Sequence, residues 1–169
     1  MVHAPHAQSL EDCLDPGVLQ DQLAHALHGL HGSGQVRDVR VDRVRRNTSR
    51  HRNPHPMTLC VNLEWCPDNG APQAWQFYGK VFRDGASATA CVPGSPLHLP
   101  GLDMLLWRWP DDPGLPQLAS LLQPRHASRW WNGRATQVDV LHYTPESRAS
   151  LCYVDASHPS RHRRVYAKT

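Results

Sequence analysis

Two lysines in this chain follow a small residue near the end of an apolar run: Lys80 in "FYGKVF" and Lys168 in "VYAKT". A lysine so placed can send its ammonium group to the phosphates of a nucleotide while neighbouring strands roof the base. The bland use of the same residue is a solvated charge at a strand end. The approach to each lysine is also shared, since "TLCV" leads to "FYGKV" and "SLCY" leads to "VYAKT". This spelling suggests an internal repeat of strand, turn and lysine-bearing strand.

The second run carries more. Residues 141–155, "LHYTPESRASLCYVD", give a strand, a proline turn, an arginine and a second strand, and "VYAK" follows after a short polar turn. This order resembles the small lobe of the aminoglycoside phosphotransferase family, and Tyr143, Pro145, Arg148, Tyr153, Tyr166 and Lys168 match its run. The segment "LDMLLWRWPDDPGLPQLASLL" is similar to one that precedes that lobe in some bacterial members, so the resemblance covers the second half of the chain. It implies a kinase-type small lobe in a cytoplasmic, bacterial phosphotransferase, with ATP and magnesium as cofactors of a full-length member. Lys168 is then the residue that contacts nucleotide phosphate, with Lys80 as the alternative. The family also needs a His-x-Asp catalytic loop and a later metal-binding aspartate. None of the twelve histidines is followed two places later by an aspartate, and only Thr169 follows Lys168. The resemblance therefore implies the nucleotide-binding part of such an enzyme, truncated or split from its catalytic lobe and inactive alone, with no catalytic residue and no metal ligand assigned.

Other constellations have a bland reading that outweighs the chemical one. His25, His28 and His31 recur at three-residue spacing and could seat zinc or nickel if a carboxylate or Cys13 joined them, but they also suit a polar helix face. Arg43, Arg45, Arg46, Arg50 and Arg52 could grip phosphates and Trp130-Trp131 could stack on bases, yet a charge run is usually a solvated loop. Cys60 and Cys152 fall on strands and point into a core, where a thiol is inert. Asp111 and Asp112 are adjacent, with Asp112 before a proline and placed to cap a helix. No G-x-S-x-G elbow is spelled.

The elements that must position these residues follow from periodicity. Asp15-Pro16 starts a helix whose apolar stripe is Leu19, Leu23, Leu27 and Leu30, and Gly29, Gly32 and Gly34 supply its exit. Val39 and Val41 alternate with charges as a strand, and the basic stretch from Arg43 reads as a loop. Residues 57–65 and 75–82 form an antiparallel hairpin around the "DNG" turn, and 102–109 is a third apolar run. A short helix begins at Asp112-Pro113 with Leu115, Leu118, Leu121 and Leu122 inward, closed by Pro124.

At 169 residues, with 40% hydrophobic and 20% charged residues, the chain is long and apolar enough for a real core, while 15 prolines and 11 glycines require many turns. A net charge of +3, thinly spread, does not argue for nucleic acid. Five scattered cysteines without a CxxC pair suit a reducing cytoplasm, and no apolar run is long enough to span a bilayer. The expected fold is α+β: antiparallel strand groups, an N-terminal amphipathic helix and a short leucine-rich helix. The expected organisation is 1–34 as tail and helix, 35–125 as a first strand-hairpin unit with the leucine-rich helix, and 126–169 as the small-lobe-like unit. The competing reading is a non-enzymatic module that docks a partner, a separate catalytic lobe or a second copy through exposed strand edges and the Trp130-Trp131 patch.

Overall fold

The computed structural model describes residues 9–46, 56–91, 96–129, 135–155 and 163–169. The chain divides into two compact units, Met1–Trp109 and Pro110–Thr169. Both are built from antiparallel strands, and with the helices the fold is α+β.

In the first unit, helix α1 runs Pro16–His31. Asp15 starts it as the sequence requires: its Oδ1 accepts from the backbone N–H of Gly17 at 2.8 Å and of Val18 at 3.0 Å, and Pro16 occupies a position whose N–H would have no partner. Leu19, Leu23 and Leu27 are buried, but Leu30 is 66% exposed and does not belong to the stripe. In the last turn His31 meets the sheet instead, its ring centroid 5.1 Å from that of Trp75 in an edge-on contact. Gly32 then leaves the helix with φ 79°, a conformation open to glycine.

The five strands of this unit are β1 (Gly34–Arg46), β2 (Met57–Pro67), β3 (Gln73–Val81), β4 (Leu97–Leu99) and β5 (Met104–Arg108), in the order β1-β2-β3-β5-β4. The expected hairpin is β2–β3. The basic stretch expected as a loop instead prolongs β1, placing Arg43, Arg45 and Arg46 on a strand. Irregular register between Arg37 and Arg40 and between Asp42 and Arg45 admits it, with Asp38 and Arg43 at φ 49° and 51°. Charged side chains and bulges are how an edge strand avoids pairing with other chains. The apolar run at 102–109 is divided into a 3-10 turn at Pro100–Leu102 and β5. Alternate residues Leu59, Val61, Leu63 and Trp65 of β2 and Trp75, Phe77 and Val81 of β3 join the three helix leucines in one core. Each such side chain fully buried is worth about 1.5–3 kcal/mol. The helix and the first sheet thus share a core, with no boundary between them.

In the second unit, strands β6 (Gln137–Thr144), β7 (Arg148–Asp155) and β8 (Arg163–Lys168) form a three-stranded sheet in that order. The leucine-rich segment belongs to this unit. It is mostly turns: a single helical turn α3 (Leu118–Leu121) and a 3-10 stretch at Pro124–Arg129, with Leu118 buried and Leu115, Leu121 and Leu122 only half-buried. Asp112 caps no helix. It is 4% exposed, and its carboxylate accepts from the Gly114 N–H at 2.7 Å, the Glu146 N–H at 2.9 Å and the Tyr143 hydroxyl at 2.6 Å. A proline at this position is compatible with a helix start, as Pro16 shows; here the carboxylate is taken up by its own turn and by the β6–β7 turn instead. Between β3 and β4 of the first unit there is also a short helix α2 (Ala86–Ala90) that periodicity did not signal. Among the described residues, no helix is long and apolar enough to cross a membrane.

Candidate functional site

The two lysine runs are the same ladder twice. In the first unit Asp42 lies opposite Cys60 and Cys60 opposite Tyr78, while Arg45 lies opposite Thr58 and Thr58 opposite Lys80. In the second, Asp139 lies opposite Cys152 and Cys152 opposite Tyr166, while His142 lies opposite Ser150 and Ser150 opposite Lys168. Each first strand has one extra residue between its two rows, so the bulge also recurs. The small residue before each lysine, Gly79 or Ala167, sits across from Leu59 or Leu151. The repeat read from spelling is a repeat of register.

Register assigns each motif residue of the second unit to a face, because residues directly opposite share one and successive residues alternate. Arg148, Ser150, Cys152 and Val154 of β7 share a face with Thr144 and His142 of β6 and with Tyr166 and Lys168 of β8. Tyr143 and Tyr153 fall on the opposite face, opposite Ala149 and Val165. Tyr153 is fully buried, and its hydroxyl donates to the Leu121 carbonyl at 2.6 Å; burial pushes its pKa up. Tyr143 is held by Asp112, and Pro145 lies in the turn between β6 and β7. The six motif residues therefore divide: Arg148, Tyr166 and Lys168 gather on one face, and Tyr143, Pro145 and Tyr153 build the frame behind it.

At the turn end of that face, donors are concentrated. Lys168 and Arg148 are exposed, Ser150 lies beside both, and His142 Nε2 is 2.9 Å from Thr144 Oγ1. Side chains directly across a ladder stand about 4.5–5.5 Å apart at Cβ, and diagonal ones about 7–8 Å, within reach of one bound anion. Two fixed cations, two hydroxyls and an imidazole can take a phosphate group. They suit magnesium less well, and among the described residues no three His, Cys, Asp or Glu side chains converge as a metal site. The histidines of α1 are included in that result, and the His31 ring packs edge-on against Trp75.

Lys80 has different surroundings. It is half-buried, with Nζ 5.3 Å from the Trp107 ring centroid, and Trp107 is stacked on Tyr78 with centroids 5.9 Å apart. Elsewhere in the first unit, Asn62, Leu63, Ala74, Trp75, Gln76, Arg108 and Trp109 line an open hollow of about 340 Å³, in which the Arg108 guanidinium lies 3.9 Å over Trp75. Ser87 and His98 form a pair that sequence did not signal, with Oγ and Nε2 3.0 Å apart. It is not built for acyl transfer. Ser87 is 2% exposed, and the N–H groups of Gly85 and Ser87 already donate to the Asp103 carboxylate, each at 2.9 Å. A negative charge stands where an oxyanion would need donors.

The thiols are quiet. Burial pushes Cys13 up to about 11, with Asp12 and Asp103 adding to it, and burial raises Cys60 as well. Cys60 and Cys152 are both 3% exposed, as their strand positions require. The side chains of Arg50, Arg52, Trp130 and Trp131, which the less favoured nucleic-acid reading and the competing partner-docking reading would use, lie outside the described residues. No family model, curated protein or solved structure matches the chain.

Proposed function

We propose that the second unit binds the phosphates of a nucleotide, with Lys168 as the principal contact and Arg148 beside it, as the nucleotide-binding part of a phosphotransferase similar to the aminoglycoside phosphotransferase family. One observation carries the reading. Arg148 and Lys168, matched on spelling alone, fall on one face with Ser150 between them, while Tyr143 and Tyr153 of the same motif serve the other face. ATP is the ligand the resemblance implies. Magnesium would have to come with the nucleotide, since the described residues offer no grouped acid ligands for it. Transfer to an acceptor is assigned to no residue here, because no histidine stands two places before an aspartate. Five free cysteines favour a reducing, cytoplasmic setting for this activity.

The test is ATP titration followed by NMR or microscale thermophoresis. Lys168→Ala and Arg148→Ala each remove a charge-assisted contact of about 1.5–3 kcal/mol and are expected to weaken binding roughly tenfold or more. Lys80→Ala is expected to leave it unchanged, because that ammonium is engaged with Trp107. Equal affinity of Lys168→Ala and the unaltered chain would overturn the assignment, and loss in Lys80→Ala alone would move the site to the first unit. Tripolyphosphate, run in parallel, separates recognition of phosphate from recognition of the base.

A further inference from the structure

We propose that β8 takes up a fourth, antiparallel strand with the character of β5, supplied by a partner polypeptide, which sets an aromatic side chain against Tyr166. The inference comes from the repeat. The ladders β1–β2–β3 and β6–β7–β8 match row for row, so the surroundings of β3 show what the third strand of this unit accommodates. In the first unit the far side of β3 is paired with β5, from Phe77 opposite Arg108 to Val81 opposite Met104. Trp107 lies opposite Tyr78, the two rings stack with centroids 5.9 Å apart, and Tyr78 is left 6% exposed. Its equivalent, Tyr166, is 65% exposed, and among the described residues β8 pairs with β7 alone.

The opposite edges differ from this. Among the described residues β1 is an edge strand of the first sheet and β6 of the second, and each carries the one-residue bulge that blunts an edge. The repeat leaves that side open twice and covers the third strand once. Over Val165–Lys168, β8 has the features of a receptive edge: among the described residues no strand lies on its outer side, and a large aromatic ring stands in solvent. Transferred through the register, the residues opposite Val165, Tyr166, Ala167 and Lys168 have the pattern of Arg108, Trp107, Leu106 and Leu105. The occupant is therefore an apolar strand with a tryptophan opposite Tyr166 and aliphatic residues after it. Such a tryptophan also stands beside the Lys168 ammonium, as Trp107 does beside Lys80. The proposal does not rest on phosphate binding.

A peptide with the sequence of residues 102–109, LDMLLWRW, flanked by lysines for solubility, serves as the probe against the full 169-residue chain. The expected result is saturable binding that slows amide hydrogen exchange at alternate positions of β8 and leaves β6 unchanged. Tyr166→Ser, at a position 65% exposed and so compatible with folding, is expected to weaken binding by up to about tenfold through loss of the aromatic pair. A peptide with proline at both central leucines is expected not to bind, because one of two successive N–H groups must face the partner strand and proline cannot donate there. Absence of saturable binding, or protection of β6 in place of β8, would overturn the proposal. So would concentration-dependent protection of β8 without peptide, since a second copy of this chain would then be the occupant.

Discussion

The Tyr143 hydroxyl donates to Asp112 Oδ2 across 2.6 Å and ties the end of β6 to the segment that enters the second unit. The same carboxylate accepts the Gly114 and Glu146 N–H groups, so one buried charge closes two turns at once. A carboxylate taken out of water needs such partners, and here three donors meet it. Tyr143 belongs to the spelled motif, yet its place is behind the donor face that holds Lys168. Its role is to fix the β6–β7 turn from which Arg148 starts.

Tyr143→Phe removes one donor from Asp112 and is expected to destabilise the second unit by about 1.5–3 kcal/mol, the range for a hydrogen bond to a charged group. Asp112→Ala is expected to cost more, since it orphans two backbone N–H groups and the hydroxyl together. Urea denaturation reads both. A positioning role further requires that Tyr143→Phe, measured where it is still folded, keep its affinity for ATP within a few-fold of the unaltered chain. A loss as large as that of Lys168→Ala would place the tyrosine in the site itself.

The surroundings of two glycines give opposite expectations. A Cβ on Gly34 would stand 2.5 Å from Trp65 Cζ2 and 2.9 Å from the Cys66 carbonyl oxygen, and Trp65 is held in the first core at 3% exposure. Gly34→Ala is therefore expected to cost about 1–3 kcal/mol through overpacking. A Cβ on Gly29 would meet nothing within 4 Å on helix α1. Gly29→Ala is expected to stabilise by roughly 0.5–1 kcal/mol, the helix preference of alanine over glycine. Thermal melts of the two variants should move in opposite directions, and a shared direction would contradict either the close approach of Gly34 to Trp65 or the open space beside Gly29.

Periodicity and punctuation carried the parts of the fold that depend on local chemistry. The Asp15-Pro16 start, the β2–β3 hairpin around "DNG" and the two lysine strands all lie where their sequence places them. The errors fall where tertiary contacts decide. Arg43, Arg45 and Arg46 read as loop by charge, but an edge strand faces water and tolerates arginine. Leu30 has the right spacing for the stripe, yet the last turn of α1 meets the sheet through His31. Asp112 before a proline has the spelling of a cap, and only the return of the β6–β7 turn shows what it binds. At the candidate site, spelling supplied Arg148 and Lys168 but not their shared face. Ser150, His142 and Thr144 became visible only through register, because the bulge after Val140 changes which residue of β6 lies opposite Ser150.

The raised thiols give the first unit an alkaline limit. Cys13 moves from an ordinary 9.0 up to about 11, and Cys60 is raised in the same direction, both chiefly by burial. Between those values the unfolded chain has lost the Cys13 proton while the folded chain still holds it. The folded state then binds more protons, so stability falls as pH rises. The contribution is complete below pH 9.0 and is lost as pH passes through about 11. Cys13→Ala is expected to flatten that slope, at the expense of the weak contact from its Sγ to the Leu102 carbonyl at 3.7 Å. Urea midpoints at pH 8, 9.5 and 10.5 test this. The unaltered chain should lose stability steadily across the series and Cys13→Ala more slowly, and parallel slopes would show that Cys13 is not the group that titrates on unfolding.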